Sequence, residues 1–259
     1  MNALKEKIKK GKKTIGSQLV FGETYVADIY GMVDLDFVWL DTEHSPIDYE
    51  RLLNCITVLK AHGRSVVVRV QMDNYNHVKR VLEMGPDGII FPMVDTAEYA
   101  DKCMRSTLYP PLGNRGSGPL RARCYGLKPI KEYIDEQVDN LCRFIQIESA
   151  ESVKNLPEMV KNPYIDGYIF GPFDMSGSIG RLSDVYCEEN MALIREAVAI
   201  LKANGKYIGM AMDSTEESEQ RRWLDLGVDM ITSGADFYYI AMESKKNSEK
   251  LRRIIKDYE

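Results

Sequence analysis

Arg143 to Ser149 reads RFIQIES, and the reading of this short run decides how the remaining chain must be arranged. Its apolar, β-branched centre suits a strand, in which residues i and i+2 share a face, so Gln146 and Glu148 belong to one surface. If the strand lies in a parallel barrel, that surface is the interior near the carboxyl end. A carboxylate there is costly unless a cation or hydrogen bonds offset it.

Working outward, seven further runs have the same length and character: Ile15 to Val20, Phe37 to Asp41, Val66 to Val70, Gly88 to Pro92, Gly167 to Gly171, Tyr207 to Met212 and Asp229 to Ser233. With Phe144 to Glu148 they make eight. Most are nearly continuous in hydrophobicity, as strands covered on both faces must be. Amphipathic stretches separate them, among them Tyr49 to Ala61, Val78 to Met84, Ala97 to Arg105, Met191 to Asn204 and Glu216 to Leu226. Eight alternations predict an α/β (β/α)8 TIM barrel. The alternative is an open doubly wound sheet, and no GxGxxG follows the first strand to support it. Gly63, Gly85, Gly205 and Gly227 each close a helical stretch before a strand. At the opposite strand ends stand Asp41, Arg69, Pro92, Glu148, Gly171 with Asp174, Asp213 and Ser233, which places the chemistry at one rim.

The 259 residues, 44% hydrophobic, suit a single barrel domain over 1–259. A net charge of -5 opposes a nucleic-acid groove or an anionic membrane surface as partner, since both need a positive field. No run is long enough to span a bilayer. The basic start, MNALKEKIKKGKK, has no apolar segment behind it and does not read as a secretory signal. Cys55, Cys103, Cys124, Cys142 and Cys187 are odd in number and scattered, which fits free thiols in a reducing cytoplasm.

Two segments stand outside the alternation. Residues 109–128, YPPLGNRGSGPLRARCYGLK, form a long irregular connection that would climb to the catalytic rim, where Arg115, Arg121 and Arg123 meet acidic substrates or a subunit contact; the alternative is a solvated loop. Residues 244–259 carry a narrow stripe of Leu251, Ile254, Ile255 and Tyr258 and read as a docking helix for its own barrel or a neighbouring subunit.

At the rim, Glu148 after strand five and Asp174 past strand six would converge. Two carboxylates without thiolate or imidazole suit a hard ion such as Mg²⁺ or Mn²⁺. The competing reading pairs each with an arginine or a helix start. His44 follows strand two and lies three residues past Asp41, a carboxylate able to orient a general base; a capping cluster with Thr42 and Ser45 is the alternative. His62 and His77 read as surface or packing histidines. Arg69 needs an anion, either Asp41 or Glu43 structurally, or a substrate carboxylate or enolate. No lysine ends a strand run, so a Schiff base lacks its nucleophile. These parts together point to polarising a carbonyl and stabilising an enolate.

DFVWLDTEHSP, VVVRV, GIIFPMVDTAEYA with YPPLGNRGSG, RFIQIES and YIFGPFDMSGSIG, in that order from about Gly16 to Asp236, resemble the HpcH/HpaI aldolase family. The resemblance implies a metal-dependent class II aldolase with the barrel of the phosphoenolpyruvate mutase and pyruvate kinase superfamily. It also implies a hexamer, a dimer of trimers, in which a C-terminal helix is exchanged between subunits. By position, Glu148 and Asp174 would hold Mg²⁺, Mn²⁺ or Co²⁺, on which pyruvate chelates. Arg69 and Gln146 would stabilise the enolate oxygen, Asp41 and His44 would move the proton of the substrate 4-hydroxyl, and main-chain groups at Phe173 and Asp174 would hold the pyruvate carboxylate. The expected reaction is reversible cleavage of a 4-hydroxy-2-oxo acid, of sugar-acid or dicarboxylic type, to pyruvate and an aldehyde.

The chain departs from many relatives at Gln71 to Tyr75, at Phe173 where they have alanine, and at SGADFYY in strand eight, positions bordering the aldehyde side. Competing expectations are an enolate-forming carbon-carbon ligase of citrate-synthase type, a decarboxylating lyase, and a non-catalytic barrel that binds a carboxylic acid. Both metal carboxylates are retained, which weighs against the metal-independent branch.

Overall fold

The computed structural model describes residues 2–212 and 214–259, and for Ser233 the backbone alone. Eight parallel strands close into a barrel in sequence order, β1 pairing with β2 on one side and β8 on the other. They are β1 Thr14–Leu19, β2 Phe37–Asp41, β3 Ser65–Arg69, β4 Gly88–Phe91, β5 Cys142–Ile147, β6 Gly167–Phe170, β7 Tyr207–Met210 and β8 Met230–Ala235. The connections carry α1 Ala3–Lys9, α2 Thr24–Met32, α3 Tyr49–Ala61, α4 Tyr75–Glu83, α5 Ala97–Thr107, α6 Ile130–Asn140, α7 Ala150–Met159, α8 Pro172–Ser178, α9 Glu188–Ala203, α10 Glu217–Leu226 and α11 Asp236–Lys256. The expected TIM barrel is therefore present. Asp213 and the side chain of Ser233, both assigned to the rim from sequence, lie outside the described residues.

Strand alternation divides the core in two. Phe37, Trp39, Val67, Ile90, Cys142, Phe144, Ile169 and Met230 fill the barrel, while Val38, Leu40, Val66, Val68, Ile145 and Ile147 pack outward on the helices. Each fully buried side chain of this size contributes about 1.5–3 kcal/mol of transfer free energy. Leu4 of α1 closes the floor, and Lys5 holds that helix in place by an ion pair to Asp166 at 2.6 Å. Gly227 ends α10 at φ 104°, a left-handed value that a Cβ would strain, so the chain turns there into β8. On β5 the inward set is Cys142, Phe144 and Gln146, so Glu148, one residue past the strand, continues it at the open end.

Two expectations change. No residue of 109–128 lines the rim cavity described below. Arg115 is buried against Glu83 at 3.1 Å and the Tyr133 hydroxyl at 3.1 Å, with its guanidinium over the Tyr109 ring, which fastens the segment to the outer side of α4 and α6. Tyr75 donates to the Asn114 carbonyl at 2.6 Å, and Arg121 donates to the Met84 carbonyl at 2.7 Å. The segment is ordered in part by a short 3-10 turn, Arg121–Gly126. Nor is 244–259 a separate helix. It continues α11, which starts directly at the end of β8 because no glycine or proline stands between Asp236 and Lys256. From Ile240 onward every residue is exposed, so the stripe does not dock on its own barrel.

Candidate active site

A cavity of about 410 Å³ opens at the carboxyl ends of the strands. Asp41, His44, Arg69, Gln146, Glu148, Phe173 and Asp174, all singled out from the sequence, line it together. Register explains the first contact: β2 and β3 pair Asp41 with Arg69 directly, side by side on adjacent strands. The guanidinium grips the carboxylate with two prongs, Nε to Oδ1 at 2.9 Å and Nη2 to Oδ2 at 2.6 Å. Its third nitrogen reaches Glu43 at 3.2 Å and the Gln146 side-chain oxygen at 3.4 Å, and Trp39 lies under it at 5.2 Å. Burial alone would lower the Arg69 pKa, but Asp41 together with Glu43 and Glu148 outweighs it and the guanidinium is held above its ordinary value.

From there the polar chain crosses the barrel. Gln146 accepts from Arg69 and donates through Nε2 to Glu148 Oε1 at 2.7 Å, so the two charged neighbours fix which way the amide faces. The second Glu148 oxygen accepts from the Met93 main-chain N–H at 2.8 Å, and Met93 adopts φ 50° to offer it. Gly171 is required beside this carboxylate, because a Cβ there would meet Glu148 Oε1 and lie 2.8 Å from its Cγ. Immediately after it Pro172 starts α8, whose first turn carries Asp174.

Burial pushes the Glu148 carboxyl up to about 7; the Met93 N–H opposes the shift, Asp174 and Glu43 add to it, and Arg69 opposes it. Glu43 is likewise raised, chiefly by burial, with Arg69 and His44 pulling the other way. The cavity therefore holds more buried negative charge than Arg69 can compensate. A small hard cation would supply the missing charge. Glu148 and Asp174 offer it oxygen donors, and a two-carboxylate set leaves positions for water and substrate, the pattern of Mg²⁺ and Mn²⁺. Among the described residues no group of three or more His, Cys, Asp and Glu gathers closely enough to enclose a metal by itself.

The expected pairing of Asp41 with His44 is not made between side chains. Asp41 accepts from the main-chain N–H groups of Glu43, at 3.0 Å, and His44, at 3.4 Å, while its carboxylate is committed to Arg69. The His44 ring, 66% exposed, instead has Nε2 3.6 Å from Glu43 Oε2. Glu43 is thus a site residue that sequence reasoning left in a structural role, and its position next to His44 was the available signal. Gln18 and Met93 were also missed; neither residue type advertises a role at its position.

A support lies behind the rim. The Thr42 hydroxyl donates to the Arg69 carbonyl at 2.5 Å and lies 2.8 Å from His77 Nε2, whose Nδ1 is 3.1 Å from the Tyr49 hydroxyl. With Thr42 donating forward, His77 Nε2 carries the proton and Nδ1 accepts from Tyr49. Burial lowers the His77 pKa, which keeps this neutral tautomer in place.

The HpcH/HpaI aldolase/citrate lyase family model matches residues 21–241. A 4-hydroxy-2-oxo-heptane-1,7-dioate aldolase of Shigella boydii is 30% identical over 240 residues, covering 93% of this chain and 91% of the relative. The crystal structure of an HpcH/HpaI aldolase/citrate lyase family protein from Burkholderia cenocepacia superposes with a TM-score of 0.91 at 25% identity, covering 97% of this chain and all of that one. The citrate synthase SbnG shares the fold with a TM-score of 0.87 at 22% identity, over 99% of each chain. With a family model spanning residues 21–241, a relative 30% identical over nearly the whole length and a closed barrel that superposes on a family member, this chain belongs to the HpcH/HpaI aldolase/citrate lyase family of enzymes.

Proposed function

We propose that the protein is a class II pyruvate aldolase that reversibly cleaves a 4-hydroxy-2-oxo acid to pyruvate and an aldehyde. The observation that carries the reading is the buried line Asp41, Arg69, Gln146, Glu148, which places a fixed cation and a carboxylate of raised pKa in one rim cavity with Asp174. Glu148 and Asp174 would hold a divalent ion, Mg²⁺ or Mn²⁺ with Co²⁺ as a substitute, whose chemistry there would be to draw electron density from the 2-oxo group.

The chain's own groups do the rest. His44 takes the proton of the substrate 4-hydroxyl, and Glu43, not Asp41, is the carboxylate beside it. As the bond between carbons 3 and 4 breaks, its electron pair moves toward the 2-oxo oxygen, and the Arg69 guanidinium with the Gln146 amide stabilises the charge that develops there. Asp41 keeps Arg69 oriented and charged. Carbon 3 then takes up one proton from water and His44 gives the proton it accepted back to water, so that pyruvate and the aldehyde are the balanced products. The main chain at Phe173 and Asp174, in the first turn of α8, receives the substrate carboxylate. The exposed stripe of α11 is covered by a neighbouring subunit in an oligomer, a hexamer by family likeness. The free cysteines fit a cytoplasmic enzyme.

The test is deuterium exchange at carbon 3 of pyruvate in D2O, followed by NMR with Mn²⁺ or Mg²⁺ and then with EDTA. Exchange that needs the metal and is lost in Arg69→Gln supports the reading. Its absence under every metal condition overturns it.

A further inference from the structure

A second hollow, of about 360 Å³, adjoins the reactive cavity at the carboxyl ends of β6, β7 and β8. The two share Pro172, Phe173 and Ala211 as a common wall, and Phe173 is 58% exposed between them. Beyond that wall the lining is aromatic. Tyr186 stacks on Trp223 with ring centroids 6.0 Å apart and planes at 27°, and Tyr238, Met212 and Val185 line it with them, beside the hydroxyls of Ser183 and Ser214. Trp223 is 1% exposed, yet its indole N–H has no acceptor among the described residues. Buried indole N–H groups ordinarily find one. Among the described lining residues Glu219 is the acidic one, accepting from the Tyr186 hydroxyl, and none is a lysine, arginine or histidine. The nearby Arg222 guanidinium lies over the Tyr186 ring at 4.1 Å.

We infer that this hollow receives the aldehyde-derived half of the substrate and that this half is uncharged and aromatic. The inference rests on the aldolase reading and adds the acceptor class to it. A distal carboxylate, such as the one that a heptane-1,7-dioate carries, would face Glu219 with no cation among the described lining residues, the nearby Arg222 guanidinium being stacked on the Tyr186 ring, and like-charge repulsion opposes that. A ring gains by edge or face contact with Tyr186, Trp223 and Tyr238. The assigned specificity thus differs from the substrate after which the curated relatives are named.

Two substrates decide it: 4-hydroxy-2-oxo-4-phenylbutanoate, which cleaves between carbons 3 and 4 to pyruvate and benzaldehyde, and 4-hydroxy-2-oxoheptanedioate, which gives pyruvate and succinic semialdehyde. In each the hydroxyl proton leaves oxygen 4 and a proton is returned to carbon 3, so the products balance. The expected result is a kcat/KM for the phenyl substrate at least about tenfold above that for the dicarboxylate, in line with what one pocket contact discriminates. Glu219→Arg should move that ratio toward the dicarboxylate by about tenfold or more. Equal or faster cleavage of the dicarboxylate by the wild type, with pyruvate exchange intact, overturns the acceptor assignment and leaves the aldolase reading standing. An unchanged ratio in Glu219→Arg also overturns it. Loss of both cleavage and pyruvate exchange overturns the aldolase reading and the assignment with it.

Discussion

Arg69 is tied to Asp41, Glu43 and Gln146 at once, which makes it the residue whose replacement says most about the cavity. Arg69→Lys keeps the charge but loses the planar fork, and it should lower the rate of pyruvate exchange by about 10² to 10³, the usual loss for an oxyanion partner. His44→Gln touches an exposed ring, so thermal stability should stay within about 0.5 kcal/mol of wild type while cleavage falls by about 10² to 10⁴. A fall in stability matching the fall in rate would assign His44 to the fold instead. Glu148 gives a prediction of opposite sign. Its folded-state pKa, about 7, lies above the ordinary 4.5, so the folded protein holds a proton that the unfolded chain has lost between those values. Metal-free stability is therefore greatest below that window and declines as pH rises through it. Glu148→Gln should remove the decline, stabilising the metal-free protein at pH 8 by about 1–3 kcal/mol, and should abolish the stabilisation that Mn²⁺ gives the wild type. Denaturant melts at pH 5 and pH 8 check this, and a variant less stable than wild type at pH 8 contradicts it.

At the scale of elements, the strand ends were legible because runs buried on both faces leave continuous apolar stretches, and their last polar residues can only be rim residues. Glu148, Asp174, Arg69, Gln146, Asp41 and His44 all emerged that way. What periodicity does not carry is which neighbours pair across strands. The Asp41 to Arg69 contact depends on the register of β2 against β3, and the approach of Glu43 to His44 depends on the turn that follows β2. The path of 109–128 was illegible for a similar reason, since Glu83 and Tyr133, which hold Arg115, are distant in sequence. Two turns can be tested directly. Gly171→Ala places a methyl on Glu148, so it should weaken Mn²⁺ binding, read by calorimetry, by about tenfold or more in a protein whose circular dichroism is unchanged. His77→Phe removes the partner of both Thr42 and Tyr49 behind Arg69. It should lower kcat more than it raises KM, whereas a loss confined to stability would make His77 a packing residue only.

For the whole molecule, the barrel brings residues from β2, β3, β5 and the β6 to α8 turn to one cavity, so no single segment suffices and the activity belongs to the closed sheet. α11 extends from that sheet with Ile240, Leu251, Ile254 and Ile255 bare, which an isolated subunit would not maintain without cost. Removal of residues 244–259 should lower the mass seen by light scattering to that of a smaller assembly; an unchanged mass would place the subunit contact elsewhere. The most direct measurement is pyruvate release, coupled to lactate dehydrogenase, from a panel of 4-hydroxy-2-oxo acids with Mg²⁺ or Mn²⁺ and then with EDTA, for the wild type and Glu148→Ala. The account predicts turnover that EDTA abolishes, that added metal restores, and that Glu148→Ala lacks. Turnover indifferent to EDTA and to Glu148 would contradict it.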